Sequence, residues 1–294
     1  KAYRLEYANV HRGAYTLSQL ATDNYENART TVANFMNAKT SDEIIFTRNV
    51  TAAINLVAYS YGRKFLSAGD EIIISHMEHH ANIVPWQLLR DAIGIKLRIA
   101  PIDDQGNFLM DEFEKLLCSK TKLVALTHVS NVLGTILPIK EIVRKVHEYG
   151  AHVLIDGCQG IVHEGVDVQD LDAEFYAFTG HKLYGPSGIG VLWGKLDILN
   201  DMPPYEGGGD MIENVTFEKT TYRDAPARFE AGTPAIVEAA GLATAIDYMV
   251  GLGLENIANH ETSLRDYANS KLCELDFLNI QGKAPDKGAI FSFT

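Results

Sequence analysis

The sequence is poor in cysteine, in long apolar runs and in positive charge. Its three cysteines, Cys118, Cys158 and Cys273, are an odd number without a short spacing, which argues against a disulfide framework and favours a reducing compartment. We therefore expect a cytoplasmic protein. No uncharged apolar run approaches the roughly 18–20 residues of a membrane span, so we expect no membrane partner.

Positive charge is outweighed by negative charge. The chain has 26 Lys and Arg against 38 Asp and Glu, a net charge of −12, and no dense Lys/Arg block that could follow a phosphate backbone. Nucleic acid is therefore not an expected partner. With 294 residues and 46% hydrophobic residues, the composition is that of a globular protein with one large domain, or a large and a smaller one.

Apolar, β-branched runs alternate with amphipathic stretches of helix length, which predicts a layered α/β domain around a largely parallel sheet. The predicted strands are residues 71–75, 96–100, 122–128, 152–156, 175–178 and 190–193. The predicted helices between them have apolar residues at three- and four-residue spacing and are residues 17–37, 51–61, 83–92 and 139–149.

The alternation ends at residues 203–209, where two prolines and three glycines predict a tight turn or hairpin. Two helical patterns follow, over residues 235–250 and 254–275, and a last strand is predicted over 289–293. We divide the chain into a large domain, residues 1–248, and the start of a small, truncated α+β domain, residues 249–294.

Lys182 is the first candidate for chemistry, because it follows a predicted strand and precedes the glycine-rich run 185–190. A partly desolvated lysine has a lowered pKa, and its free amine can attack a carbonyl to form a Schiff base. The run lacks the Gly-Lys-Ser/Thr ending of a phosphate loop. A solvated surface lysine is the alternative, since most lysines are exposed.

Asp156 is the second candidate, at the carboxyl end of a predicted buried strand, where open α/β sheets bind ligands. A cofactor with a pyridine ring needs a carboxylate opposite the ring nitrogen, because a protonated ring withdraws electrons. The interval of 26 residues to Lys182 suffices for a crossover to the next strand. The alternative is an aspartate that caps the following turn.

Two further segments have two interpretations each. Thr51 lies in the first turn of a predicted helix, whose free N–H groups could hold a phosphate, or it caps the helix. The histidines at 76, 79 and 80 follow a predicted strand. His76 and His80 could share a metal ion, His79 could stack on a flat ring, or the histidines could cap the next helix.

Four segments together resemble the class V aminotransferases of fold-type I, specifically the group II cysteine desulfurases and their selenocysteine lyase relatives. These segments are residues 77–86 (MEHHANIVPW), 127–135 (THVSNVLGT), 180–186 (GHKLYGP) and 228–234 (RFEAGTP). The resemblance covers nearly the whole chain. It implies a mainly parallel seven-stranded sheet flanked by helices, and pyridoxal 5'-phosphate as the cofactor.

The resemblance also implies roles for individual residues. Lys182 would form the Schiff base, His79 would stack on the ring, and Asp156 would pair with its nitrogen. The ring hydroxyl would be contacted by Gln159 and Asn131. The phosphate would be held by Thr51, Thr179 and His181 and, from the other subunit of a homodimer, by Thr233. Residues 207–209 match a hairpin that reaches across that dimer, or they form only a turn.

The reaction implied is the removal of sulfur from L-cysteine as a protein persulfide, with release of alanine, for a sulfur-acceptor protein in iron–sulfur cluster assembly. The family's Arg-x-Gly-x-x-Cys loop, which carries the nucleophile and a substrate-binding arginine, does not occur before Thr294. We expect the three cysteines to be structural and the sequence to be part of a longer enzyme. Ala52 replaces a glutamate common in the group.

Other functions stay open. Within the fold, the chain could be a selenocysteine lyase, an aminotransferase, a kynureninase-like hydrolase or an epimerase. Outside this chemistry, it could be an inactive sulfur-transfer scaffold or a metal-binding module built on residues 76–80. We expect no metal in the site.

Overall fold

The computed structural model describes residues 4, 6–11 and 13–294, and its centre is a seven-stranded sheet. The strands of this sheet are β1 Ile44–Thr47, β2 Glu71–Ser75, β3 Lys96–Ala100, β4 Thr121–Thr127, β5 His152–Asp156, β6 Phe175–Thr179 and β7 Gly190–Gly194. Two small antiparallel sheets pair β8 Ile212–Val215 with β9 Thr220–Tyr222, and β10 Ile280–Gln281 with β11 Ser292–Phe293.

The strand order in the large sheet is β1-β7-β6-β5-β4-β2-β3. All pairs from β3 to β6 are parallel, while β7 is antiparallel to both β6 and β1. The predicted α/β fold with a mainly parallel seven-stranded sheet is thus confirmed. In the register, Thr127 faces Asp156, and Asp156 faces Ala177, so β4, β5 and β6 end at one edge of the sheet.

The α-helices of the described residues lie between these strands or after them. They are α1 Thr16–Phe35, α2 Val50–Phe65, α3 Val84–Ile93, α4 Met110–Glu114, α5 Ile139–His147, α6 Gly160–His163, α7 Val168–Leu171, α8 Leu196–Asp201, α9 Ile236–Leu252 and α10 Leu254–Leu272. Short 3-10 helices occur at Ser41–Glu43, His80–Asn82, Gly180–Lys182 and Ala227–Phe229.

The two faces of the sheet have separate apolar cores, because successive side chains of a strand point to opposite faces. In β4, Val124 and Leu126 belong to the core that α1, α5 and α9 cover. Leu123 and Ala125 belong to the core that α2 and α3 cover. The edge strand β3 differs, since only Ala100 of its five residues is buried.

Most predicted elements are confirmed with shifted ends. The strands predicted at 122–128 and 175–178 are Thr121–Thr127 and Phe175–Thr179. The helix predicted at 51–61 continues to Phe65, where Arg63 and Lys64 complement the negative end of the helix dipole. The last predicted strand, 289–293, is shortened to Ser292–Phe293, because its partner β10 is only two residues long.

The structure differs from the prediction at one strand and one turn. Strand β1 was not among the strands predicted from periodicity, since its four residues, all apolar but the last, are too few to show alternation. Residues 203–209 form bends, and the hairpin β8–β9 comes only after them. The domain boundary at 248 stays a prediction; α9 runs through it, and residues 1–3, 5 and 12 of the proposed first domain lie outside the described residues.

Taken singly, none of the helices in the described part of the chain has the length and apolar character to cross a membrane. By length and composition, α9 and α10 meet that test only as a pair, and the pair is bent by 79°.

Candidate active site

Three predicted site residues meet at the edge where the parallel strands end. His79 follows β2, Asp156 ends β5, and Lys182 lies in the 3-10 helix after β6. Asp156 is only 3% exposed, Lys182 is half-buried and His79 is exposed. Both Lys182 and His79 act electrostatically on Asp156, so the three groups share one site.

The environment of Asp156 makes its charge costly. Burial raises the pKa of this carboxyl. Two effects oppose the rise: the backbone N–H of Cys158 donates to Oδ1 at 3.1 Å, and Lys182 and His79 contribute positive charge. A buried carboxylate of this kind is stabilised by a cationic hydrogen-bond donor. The contact with Cys158 shows that Asp156 caps its own turn, while its pairing with a ring nitrogen stays a prediction.

The turn after β5 rests on a buried pair that the sequence reasoning missed. A Cβ atom added at Gly157 would lie 1.9 Å from Cε1 of Tyr176, and one at Gly160 would lie 2.2 Å from Nδ1 of His128. The Tyr176 hydroxyl and His128 Nδ1 are 3.0 Å apart. Burial lowers the pKa of His128 to about 4, so its imidazole is neutral at neutral pH. This pair fixes the backbone that carries Asp156.

His79 stands at the start of the 3-10 helix His80–Asn82. Its Nδ1 accepts a hydrogen bond from the backbone N–H of Ala81 at 3.1 Å, while the ring itself is exposed. The histidine therefore caps this short helix and not α3. Among the residues that the structure describes, no group of three or more His, Cys, Asp or Glu could hold a metal ion, so His76 and His80 gain no further ligand.

The predicted phosphate contacts lie in three places. Thr51 is exposed in the first turn of α2, and Asn49 is the cap, since its Oδ1 accepts from the N–H of Ala52 at 2.9 Å. The alternative of Thr51 as the helix cap is therefore wrong. Thr179 is buried, with its hydroxyl 3.1 Å from Nδ1 of the exposed His181. Thr233 is exposed and lines a cavity of about 220 Å³ with Ala52.

Asn131 and Gln159 are half-buried in the turns that follow β4 and β5. Both turns face the edge where Asp156 lies, but the contacts predicted for the two amides stay predictions.

The three cysteines differ in exposure. Cys158 is buried, Cys118 is half-buried and Cys273 is exposed at the end of α10, so the burial expected of a structural cysteine holds fully only for Cys158. Burial, followed by the charge of Asp156, raises the pKa of the Cys158 thiol well above its usual range. Since the thiolate is the nucleophile, Cys158 is a poor sulfur acceptor.

A buried ion pair anchors the segment that leads to Thr233, and the sequence reasoning missed it too. The guanidinium of Arg29, 2% exposed, donates to both carboxylate oxygens of Glu230, at 2.6 and 2.9 Å. Glu230 also accepts from the Tyr25 hydroxyl at 2.9 Å and from the Phe46 N–H at 2.7 Å. The sequence offered one signal for this pair, since Glu230 is a charged residue between the apolar Phe229 and Ala231.

The family model for class-V aminotransferases matches residues 1–294. A probable cysteine desulfurase of Mycolicibacterium paratuberculosis is 51% identical over 99% of this chain, which spans 42% of that relative. A cysteine desulfurase of Dickeya dadantii is 52% identical over 98% of this chain, which spans 70% of the relative.

A solved structure is also similar to this chain. The apo structure of a cysteine desulfurase from Thermococcus onnurineus NA1 superposes with a TM-score of 0.95 at 38% identity, and covers 99% of this chain and 73% of its own. The chain thus spans less than half of the mycobacterial relative and about three quarters of the solved one. On the match over its whole length, the chain belongs to the class-V aminotransferase family.

Proposed function

We propose that this chain forms the cofactor-binding part of a pyridoxal phosphate-dependent cysteine desulfurase, which takes sulfur from L-cysteine as a persulfide and releases alanine. One observation carries the proposal: Lys182, His79 and the buried carboxyl of Asp156 lie at the edge of the sheet where β2, β5 and β6 end. The names of the relatives, at about 50% identity, support this substrate.

The residues at this edge suit the cofactor by their chemistry. Asp156 is a buried acceptor for a protonated ring nitrogen, and the exposed ring of His79 offers a flat surface for stacking. The phosphate would be held by Thr51, Thr179 and His181, and the ring hydroxyl by Gln159 and Asn131. When bound, pyridoxal phosphate supplies a cationic ring that withdraws electrons from the α-carbon of the substrate.

Lys182 has two tasks in this proposal. Its Nζ carries the cofactor before the substrate arrives, and afterwards the released amine accepts and returns a proton. A half-buried position suits both tasks, because the amine stays within reach of solvent and close to the charge of Asp156. Cys158, whose pKa burial raises, is not the acceptor of the substrate sulfur.

We also propose a homodimer, in which Thr233 of one copy completes the phosphate site of the other. The exposure of Thr233 supports this sharing, because an exposed hydroxyl is accessible to a second copy of the chain. A sulfur-acceptor protein, iron–sulfur cluster assembly, action on selenocysteine and a cytosolic location belong to the same proposal. The location is supported by three free cysteines.

The decisive experiment is borohydride reduction of the protein with pyridoxal phosphate, followed by peptide mass analysis. We expect a yellow chromophore and a cofactor adduct on Lys182, both absent in Lys182→Ala. Lys122→Ala is the matched control, since Lys122 is also half-buried but lies at the opposite end of the sheet and should leave both signals unchanged. An adduct on another lysine contradicts the assignment.

The substrate is tested separately by measuring alanine and sulfide formed from L-cysteine by the full-length protein, with L-selenocysteine in parallel. Alanine from selenocysteine alone would favour a selenocysteine lyase. Transfer of an amino group to a keto acid would favour an aminotransferase.

A further inference from the structure

Glu78 is a buried carboxyl that the proposed reaction does not use. It directly precedes His79, lies between β2 and β4, and is 8% exposed. Glu78 is the one acidic residue in the run 77–86. A carboxyl in such a place needs hydrogen-bond donors around it, because an unpartnered buried charge is costly.

Three donors converge on Glu78, each from a different element. The Ser75 hydroxyl at the end of β2 donates to Oε1 at 2.6 Å, and the Thr127 N–H at the end of β4 donates to the same oxygen at 3.1 Å. The side-chain amide of Asn82, in the 3-10 helix after His79, donates to Oε2 at 2.7 Å. The carboxylate therefore ties the His79 turn to two strand ends.

The orientation of these donors is fixed from outside. The indole N–H of Trp86, a fully buried residue of α3, donates to Oδ1 of Asn82 at 3.0 Å. Because this oxygen is occupied, the NH₂ group of Asn82 has to point at Glu78. A glutamine at position 78 would turn its own NH₂ group toward Asn82 or toward the Thr127 N–H, so that two donors would face each other. The pocket selects a carboxylate over an amide.

We propose that Glu78 is a positioning residue of the cofactor site, which holds the His79 turn against the ends of β2 and β4 and places a second carboxylate beside Asp156. The inference rests on the proposed function for the identity of the cofactor. The positioning itself rests on the contacts of Glu78.

The electrostatics agree with this placement. Burial raises the pKa of Glu78 to about 7, against the three hydrogen bonds, and the charge of Asp156 adds to the rise. Ser75, Thr127 and Asn82 are neutral, and Asp156, at the end of β5, is the group whose charge acts on Glu78. Glu78 in turn favours positive charge near Asp156, where the cationic ring of the cofactor would lie.

The first test uses the protein without cofactor, so that it does not depend on the proposed function. Hydrogen exchange of the backbone amides at Ala81 and Asn82 is compared between the wild type, Glu78→Gln and Glu71→Gln. Glu71 is the matched control, since it is also buried on β2 but at the other end of the strand. We expect exchange on the order of tenfold faster in Glu78→Gln, equal to about 1.4 kcal/mol of lost protection, and no local change in Glu71→Gln.

The second test measures the bound cofactor. We expect Glu78→Gln to bind pyridoxal phosphate more weakly. Above pH 7, where Glu78 of the wild type is ionised, the variant removes a negative charge, so the proton affinity seen in the absorption band of the bound cofactor should fall threefold or more. A merely structural defect would not move this titration. Ser75→Ala removes one donor and so raises the pKa of Glu78 further; it should loosen the turn and move the titration in the same direction as Glu78→Gln, but by less.

The outcomes separate the two proposals. If wild-type protein fails to bind pyridoxal phosphate through Lys182, the proposed function is wrong, while the exchange data still decide whether Glu78 holds the turn. If Glu78→Gln and Glu71→Gln give the same exchange and the same titration, the inference about Glu78 is wrong even when Lys182 carries the cofactor.

Discussion

The buried pair of Arg29 and Glu230 permits a sharp prediction about stability. In Glu230→Gln, the guanidinium of Arg29 loses an anionic partner while it remains 2% exposed. Burial alone lowers the pKa of Arg29, and Glu230 is the group that restores and raises it. Removal of one partner from a buried pair typically costs 3–5 kcal/mol.

The structure places this variant within that range. Arg29 keeps its bonds to the Ile44 carbonyl at 2.8 Å and to Glu26 at 2.9 Å, which argues for the lower half, about 3–4 kcal/mol. The Tyr25 hydroxyl and the Phe46 N–H, however, also lose a charged acceptor. We therefore expect about 4 kcal/mol in the free energy of unfolding, measured by urea denaturation with circular dichroism.

A surface pair provides the control. Glu112 and Lys115 are 2.6 Å apart but largely exposed, so Glu112→Gln should change the free energy of unfolding by less than about 1 kcal/mol. A double-mutant cycle with Arg29→Met then isolates the coupling between Arg29 and Glu230. If Glu230→Gln costs no more than Glu112→Gln, the account of the anchor at 228–234 is refuted.

Two further predictions concern the turn after β5. Gly157→Ala should destabilise the protein by about 1–3 kcal/mol in thermal unfolding, because the new Cβ atom would overlap Tyr176. Gly207→Ala is the control and should have little effect, because a Cβ atom at Gly207 would have nothing within 4 Å. Equal losses of stability in the two variants would contradict the close packing at Gly157. His128, with a pKa lowered by burial from 6.5 to about 4, contributes stability that is present above pH 6.5 and lost as the pH falls toward 4. His128→Gln should therefore remove about 3 kcal/mol of this acid sensitivity, and an unchanged pH profile of the unfolding midpoint would show that His128 is not buried and neutral.

The sheet, and the sheet edge at which Asp156 lies, could be predicted from the sequence because both depend on local patterns. Buried parallel strands are short, continuous apolar runs, and Asp156 follows such a run directly. The strand β1 lacked such a signal, since its four residues gain their place only by pairing with β7. Tertiary pairing, not local preference, decides such an element.

The supporting residues of the site were beyond sequence reasoning for a related reason. Glu78, His128 and Glu230 all lie in segments that were singled out, yet their roles arise from contacts between elements distant along the chain. Glu230 and Arg29, for example, are separated by 201 residues. Periodicity, motifs and the family resemblance describe what is near in sequence, so they led to the residues proposed to face the cofactor and missed the residues behind them.

Strand β3 limits how two copies of this chain can associate. Lys96 and Arg98 are exposed on this rim of the sheet, where Arg98 lies 3.6 Å from the Glu71 carboxylate, and charged side chains on an edge strand oppose its pairing with a second edge. A continuous sheet through two protomers is thereby disfavoured at β3. The proposed dimer would then be built from helices and loops, among them the loop of Thr233, and its active sites would be sensitive to any change that loosens that contact.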